Sequence, residues 1–204
     1  SILTRYGNDV EGAKKGYNPK KKGRNSHHPL IAFVSDVNLV ANMWLRSGDT
    51  SSANNFLSFL EDTLQKLQHK TVGLIRLDSG FFQSDILDHL EARNTDYIIA
   101  AKFTHPIQCL IADHKAWIRL DDGIEICEQY YQSDSWTKAR RLVIVRQKIK
   151  ERPQATGKML SLFPEEEAHR NYRYSAYVTS LNLSAAEVWR LYRGRANAEN
   201  YIKE

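Results

Sequence analysis

Asp78 lies where a carboxylate could hold a metal ion at the edge of a sheet. It follows the apolar run of residues 72–77, which is too short for a helix and ends just before Gly80. The run predicts a buried strand in the interior of an α/β sheet. Ligands of open α/β sheets bind just beyond the carboxyl ends of the strands. Asp78 is therefore a candidate metal ligand, and the alternative is that its side chain only caps the next helix.

Glu199 is the second candidate, because it falls on a helix face that should be buried. The helix is predicted to begin with a capping box at Ser184 and Glu187. The apolar stripe of this helix contains Val188, Leu191, Tyr192 and Ile202. Counted at about 100° per residue, Arg195 and Glu199 fall within about 20° of the middle of the stripe. A buried carboxylate must be paired or coordinated, so the two residues form either an inward ion pair or part of a site beneath the helix.

The composition excludes several classes of protein. The 204 residues are 42% hydrophobic, which is enough for one sizeable core. No run approaches the ~20 apolar residues of a membrane span, and no signal-like segment opens the chain, so we expect a soluble intracellular protein. Cys109 and Cys127 form no CxxC pair, which excludes a zinc knuckle and gives no support for disulfides. The chain begins at Ser1 in an apolar stretch and ends within a helical pattern, so we expect it to be a piece of a longer protein.

A lysine-rich loop is the first candidate for binding nucleic acid. Residues 7–29 contain glycines and prolines at short intervals, which disfavour long regular structure. The cationic residues of the loop are Lys14, Lys15, Lys20, Lys21, Lys22 and Arg24. Such a loop can neutralise several phosphates without reading sequence, and the alternative is a solvated surface with no partner. The adjacent His27 and His28 cannot face one metal from a regular strand.

The first half of the chain predicts a hairpin, a helix and a βαβ unit. The predicted elements are strands over 30–34 and 39–45, a helix from about Ser51, a strand over 72–77, a helix over about 83–92 and a strand over 97–101. Asp36 lies in the turn of the hairpin. The last three elements form a unit whose two strands should be parallel neighbours.

The second half predicts an antiparallel β insertion. Short strands are predicted over 117–120, 124–132, 140–147 and 174–181, with a mobile loop over 148–171. Trp136 could stack on an unpaired base or only pack in the interior, and Arg140 and Arg141 give the third of these strands a basic end. The predicted organisation is a core over 1–102, the insertion and loop over 103–171, and a core strand with the final helix over 172–204.

Three stretches resemble bacterial insertion-sequence transposases of the cut-and-paste DDE type. They are residues 16–29, which contain GYNPKKKGR and end in HP, residues 76–81 (RLDSGF) and residues 192–199 (YRGRANAE). The signature of that branch is Tyr, two residues, Arg, three residues, Glu, six residues and Lys. Tyr192, Arg195 and Glu199 match its first three positions, whereas the Lys would fall two positions beyond Glu204, and Lys203 is not in register with it. The resemblance extends from one end of the chain to the other.

The resemblance implies an α/β fold, with an RNase H-like mixed sheet flanked by helices and an antiparallel β insertion before the last catalytic helix. It also implies that Asp78 is the second Asp and Glu199 the Glu of a triad that holds two Mg²⁺ (or Mn²⁺) ions. Arg195 and Tyr192 would contact backbone phosphate near the cleaved end. The insertion, with Trp136, would help to hold the end of the transposon.

The first Asp of such a triad should lie on a strand just before Ser1, so the 204-residue chain by itself should be inactive. Asp36 is the only early substitute, and it lies at the wrong end of its strand. The implied activity is metal-dependent cleavage and strand transfer at transposon ends. The implied partners are double-stranded DNA, as inverted-repeat ends and target, and a second copy of the protein, in the bacterial cytoplasm near the nucleoid and away from membranes. A non-catalytic, domesticated DNA-binding module and an RNase H-like nuclease without strand transfer are the two alternatives.

Overall fold

The computed structural model describes residues 2–5, 10–18, 21–149 and 171–195. These residues fall into two compact units. The first unit contains the residues up to Val72 together with Arg195, and the second is Gly73–Gly194. Within the described part of the chain, no helix is long and apolar enough to cross a membrane.

The first unit contains a three-stranded antiparallel sheet, a hairpin and one helix. Its elements are β1 (Leu3–Thr4), β2 (Lys14–Lys15), β3 (Asn25–His27), β4 (Leu30–Val34), β5 (Leu39–Trp44) and α1 (Phe56–Leu67). The small sheet has the order β1-β3-β2, and β4 pairs with β5 as the sequence predicts. Helix α1 begins later than the predicted Ser51, directly after Asn55, whose φ of 60° lies in the left-handed region. Phe59 of α1 packs edge-on against Trp44 of the hairpin, with ring centroids 5.5 Å apart.

The second unit contains the larger sheet and three helices. Its elements are β6 (Ile75–Leu77), α2 (Ser84–Ala92), β7 (Tyr97–Ala100), α3 (His105–Asp113), β8 (Ile118–Asp121), β9 (Ile124–Tyr131), β10 (Arg140–Lys148), β11 (Tyr172–Thr179) and α4 (Ala185–Arg193). The six strands form one sheet in the order β6-β7-β11-β10-β9-β8. Strands β6 and β7 are parallel, and every other pair is antiparallel. The predicted mixed α/β architecture is confirmed, and this sheet is consistent with an RNase H-like transposase domain.

Two expectations about the second unit are wrong. Strand β6 has three residues rather than six, is half-buried, and is the end strand of the described sheet rather than an interior one. Among the described strands it pairs only with β7, and its residues are less buried than those of β7, three of whose four residues are buried. Helix α3 was not predicted at all. The expected boundaries at residues 102 and 171 stay predictions, although strands from both sides of residue 102 share the large sheet.

Helices α2 and α4 cover opposite faces of the large sheet. Val188 and Trp189 of α4 pack in one buried cluster with Ile98, Ile126, Val143, Val145 and Tyr177. Tyr97, adjacent to Ile98 on β7, points to the other face because side chains alternate along a strand. There its hydroxyl donates to Oε1 of Glu91 on α2, at 2.7 Å. The face covered by α4 carries the candidate site.

Candidate active site

Asp78 keeps one carboxylate oxygen available while the other caps a turn. Its backbone is extended (φ −80°, ψ 176°), and Oδ1 accepts a hydrogen bond of 2.8 Å from the backbone N–H of Gly80 in the turn Ser79–Phe81. The capping role predicted as the alternative therefore exists, but it uses a single oxygen. Among the described residues, Oδ2 has no hydrogen-bonding or ion-pairing partner. Asp78 can thus be a cap and a ligand at the same time, with the cap fixing the direction of the carboxylate.

The helix that carries Tyr192 packs on the same sheet. The predicted capping box at its start is confirmed, since Ser184 and Glu187 bond each other's backbone N–H groups. The ring of Tyr192 lies 4.4 Å from that of Tyr177 on β11, measured between centroids. The predicted stripe is partly wrong, because Leu191 is 39% exposed while Trp189 is buried. The buried side of the helix is therefore turned towards Trp189, and Tyr192 still lies at its edge.

The structure describes some of the other residues of the predicted triad and signature, but not all of them. Arg195 is half-buried and is the last residue that the structure describes. Glu199 lies outside the described residues, so its place relative to Asp78 stays a prediction. Within the described ranges, no three His, Cys, Asp or Glu side chains are grouped closely enough to hold a metal ion. The described part of the site therefore supplies one carboxylate, Asp78, whose free oxygen is the hard donor that Mg²⁺ prefers.

The described residues of the lysine-rich stretch form an antiparallel pair of strands with a turn, which we call the basic hairpin (residues 14–18 and 21–26). Its strands β2 and β3 pair with Lys14 opposite Ser26, and Lys21, Lys22 and Arg24 are exposed around the turn at Gly23, whose φ is +75°. Lys20 lies outside the described residues. Tyr17 is 76% exposed beside these cations, so the hairpin presents both charge and an aromatic ring to solvent.

The sequence resembles transposases, and a comparison with known families decides the matter. Residues 7–204 match the family described as Transposase DDE domain group 1. The chain belongs to the DDE transposase family. Membership places it among enzymes of DNA transposition, which bind DNA and generally use divalent metal ions. A search among curated proteins found no match.

The fold of this transposase domain explains two glycines and an asparagine that sequence reasoning passed over. A Cβ on Gly16 would lie 1.8 Å from the carbonyl oxygen of Gly48, so the two backbones cross where only glycine fits. Asn18 is buried, and its amide donates to Thr4 while its oxygen accepts from the backbone N–H of Lys21. These contacts fix the path of the basic hairpin. Gly16 and Asn18 belong to the GYN triplet, which carried part of the family resemblance and was predicted as part of a loop, without these contacts.

The two histidines after the hairpin each contact a backbone carbonyl group. His27 Nε2 lies 2.9 Å from the carbonyl oxygen of Glu11, and His28 Nδ1 lies 2.8 Å from that of Thr50. Asp36 is exposed in the turn between β4 and β5, as predicted. These three residues therefore hold or terminate local structure in the first unit of the transposase domain.

Arg140 lies inside the second unit, in an ion-pair network with α2. Its side chain is 2% exposed; Nε donates to Glu91 at 2.7 Å, and Nη2 donates to Asp88 and Glu91 at 2.5 and 2.9 Å. Burial opposes the charge of Arg140, but these hydrogen bonds outweigh it and raise its pKa. Burial alone would raise the pKa of Glu91, yet hydrogen bonds from Arg140, Tyr97 and Lys138 lower it to about 2. The network holds β10 against α2.

Trp136 and Arg141, the neighbours of this network in the sequence, also make internal contacts. Trp136 is 7% exposed and packs edge-on against Phe82 and Tyr131, with Arg140 5.0 Å from its ring centroid. Arg141 donates to the carbonyl oxygens of Leu181 and Leu183 and pairs with Glu128. The predicted DNA contacts of Trp136, Arg140 and Arg141 stay predictions, and this packing gives them no support.

Proposed function

We propose that the protein cleaves DNA at transposon ends and transfers the freed strand, using divalent metal ions held by Asp78 and Glu199. The observation that carries the proposal is Oδ2 of Asp78, which has no partner among the described residues and lies at the carboxyl end of β6 in a chain of the DDE transposase family. A carboxylate there can bind a hard cation without giving up its structural bond to Gly80.

The chemistry depends on how firmly the chain holds that carboxylate. Asp78 and Glu199 would hold the divalent ions, whose chemistry when bound would be to lower the pKa of a bound water and to polarise the scissile phosphate. The N–H of Gly80 orients Asp78 from behind, in the way that outer hydrogen bonds orient metal ligands. We assign to Arg195 and Tyr192 contacts with the backbone phosphate near the cleaved bond, with the guanidinium as a two-donor partner.

The basic hairpin is assigned to the DNA backbone. Lys21, Lys22 and Arg24 are exposed and lie within one turn, and Lys20 belongs to the same run. Lysine contacts to phosphate add affinity for any duplex and carry no sequence information. We propose double-stranded transposon ends and target DNA as partners, with two copies of the protein in the active complex.

The test uses protein expressed from the complete gene and a duplex that carries the terminal repeats flanking that gene. With Mg²⁺ or Mn²⁺, the wild type should nick this duplex at the repeat end and join the product to a target plasmid. Removing a residue that only hydrogen-bonds to a metal ligand typically costs about 10–100-fold in metal affinity or activity. Removing the ligand itself should cost more, so Asp78→Asn should reduce cleavage by more than about 100-fold.

Asp85→Asn is the matched control, because Asp85 is an exposed acid in the first turn of α2, seven positions along the chain. It should cleave as the wild type does. Cleavage that is independent of metal or equal in Asp78→Asn would overturn the proposal. Cleavage without joining would identify a nuclease, and DNA binding without cleavage would identify a non-catalytic module.

A further inference from the structure

Arg76 points to the sheet face that α4 covers. In the parallel pair β6–β7, Arg76 lies opposite Ile98, and paired residues of neighbouring strands share a face. Ile98 packs in the buried cluster that contains Val188 and Trp189 of α4. Asp78 continues the alternation two residues later with an extended backbone, so Arg76 and Asp78 belong to the same face.

The guanidinium of Arg76 binds the last turn of α4. Its Nη1 donates a hydrogen bond of 2.7 Å to the carbonyl oxygen of Leu191, the residue before Tyr192. Cations near the C-terminal end of a helix are favoured by the helix dipole as well as by the hydrogen bond. Arg141 binds the carbonyl oxygens of Leu181 and Leu183 just before the same helix. The segment is thus held at both ends by arginines from two different strands.

Gly194 leaves the space that the guanidinium occupies. A Cβ on Gly194 would lie 2.9 Å from Nη1 of Arg76 and 3.3 Å from the carbonyl oxygen of Leu191. The backbone of Gly194 is right-handed helical (φ −57°, ψ −19°), so any residue could adopt it. Glycine therefore lets the guanidinium of Arg76 stay where it is, whereas a Cβ would push it aside; the conformation of the chain itself does not call for glycine.

We propose that Arg76 is a positioning residue that fixes Asp78 and Tyr192 relative to each other, with Gly194 as the residue that makes room for it. The inference rests on the proposed function, because it gives the contact a role in phosphodiester cleavage. A displacement of about 1 Å at a reacting group can cost about 100-fold in rate. A single side chain that ties the strand of Asp78 to the turn of Tyr192 is well placed to prevent such a displacement.

The experiment compares four variants of the protein expressed from the complete gene. Arg76→Met removes the donors and keeps the apolar length, and Arg76→Lys keeps a charge and one donor. Gly194→Ala displaces the guanidinium while favouring helix. Arg93→Met is the matched control, because Arg93 is an exposed arginine at the end of α2, the helix on the opposite face of the same sheet. Single-turnover cleavage of the terminal-repeat duplex is measured in Mg²⁺, and affinity for the same duplex in Ca²⁺.

We expect Arg76→Met to slow cleavage by about 10–100-fold with DNA affinity unchanged, Arg76→Lys to lose less, and Arg93→Met to match the wild type. Gly194→Ala should slow cleavage while melting at or above the wild-type temperature. The double variant Arg76→Met with Gly194→Ala should be no slower than Arg76→Met, because both changes remove one contact. Amide hydrogen exchange at 191–194 should be faster in Arg76→Met whether or not DNA is present.

Three results would overturn the inference. Wild-type rates in Arg76→Met would do so, as would unchanged amide exchange at the end of α4 or fully additive losses in the double variant. A wild-type protein that shows no metal-dependent cleavage would instead remove the proposed function, and the positioning role with it. The two failures are distinguishable, since the first leaves the wild type active.

Discussion

The basic hairpin and the basic end of β10 are alike in sequence and unlike in structure. Lys21, Lys22 and Arg24 are exposed around a turn, whereas Arg140 is 2% exposed and bonded to two carboxylates of α2. Both stretches were predicted to contact DNA. The number of basic residues in a stretch does not show whether their side chains are exposed or buried. For Arg140, the acidic partners on α2 decide it.

The alternation of side chains along β10 indicates which of its residues are buried. Arg140, Leu142 and Ile144 alternate along β10 and are all buried on one face. A cation in register with two apolar residues of a buried strand requires an acid on the element that covers it. Asp88 and Glu91, three apart on α2, are that pair of acids. Lys21 and Lys22 lie in the turn between β2 and β3 rather than on a strand, and both side chains are exposed.

The largest expected difference between the two regions is in stability. Arg140→Ala removes the buried cation that Glu91 and Asp88 share, and breaking a buried ion pair costs roughly 3–5 kcal/mol. Glu91 keeps its contacts with Lys138 and Tyr97, so we expect the lower end of that range. Lys21→Ala with Lys22→Ala should change the free energy of unfolding by less than about 0.5 kcal/mol, because both are exposed. Chemical unfolding followed by tryptophan fluorescence measures both, since Trp136 packs against Arg140. Equal losses in the two variants would contradict the comparison.

The next difference is in salt-dependent DNA binding. If Lys21 and Lys22 each contact a phosphate, the double alanine variant should reduce the magnitude of the slope of log affinity against log salt by about 1.8, or roughly 0.9 per contact. Preference among DNA sequences should not change. Lys70→Ala with Arg93→Ala removes the same charge from exposed positions elsewhere and should leave the slope unchanged. An unaltered slope in the hairpin variant would make the hairpin a solvated surface.

The smallest effect is on the pH dependence of stability. The pKa of Glu91 is about 2 in the folded protein against an ordinary 4.5, so its ionised form stabilises the fold above pH 4.5. That contribution should disappear as the pH falls from 4.5 towards 2. Glu91→Gln should melt lower at pH 7 and lose less on acidification than the wild type. Parallel melting curves for the two proteins would show that the Glu91–Arg140 pair contributes nothing.

Local periodicity predicted much of the fold, and contacts between distant elements explain the rest. The β4–β5 hairpin, α2, β7 and the antiparallel strands were predicted to within a few residues of their observed bounds, because their apolar patterns are regular. Helix α3 was missed although Thr104, Pro106, Ile107 and Ile111 have the order of a helix start and a buried face. The short length of β6 could not be predicted, since it depends on which strands pair with it.

In the candidate site, too, some features could be predicted from local sequence, and others depend on contacts between distant residues. Asp78 could be proposed from its place after an apolar run, and the capping box of α4 from four residues of sequence. The bond from Arg76 to Leu191 joins residues 115 positions apart, so no local pattern contains it. The fit of Gly16 against Gly48 is equally non-local.

The most direct test of the central claim is to locate a bound metal ion. Crystals of the protein expressed from the complete gene, grown with its terminal-repeat duplex and Mn²⁺, would give an anomalous peak for each ion. We predict a peak within about 2.5 Å of Oδ2 of Asp78, with the hydrogen bond from the N–H of Gly80 to Oδ1 intact. Ions bound only elsewhere, with Asp78 still a simple cap, would contradict it.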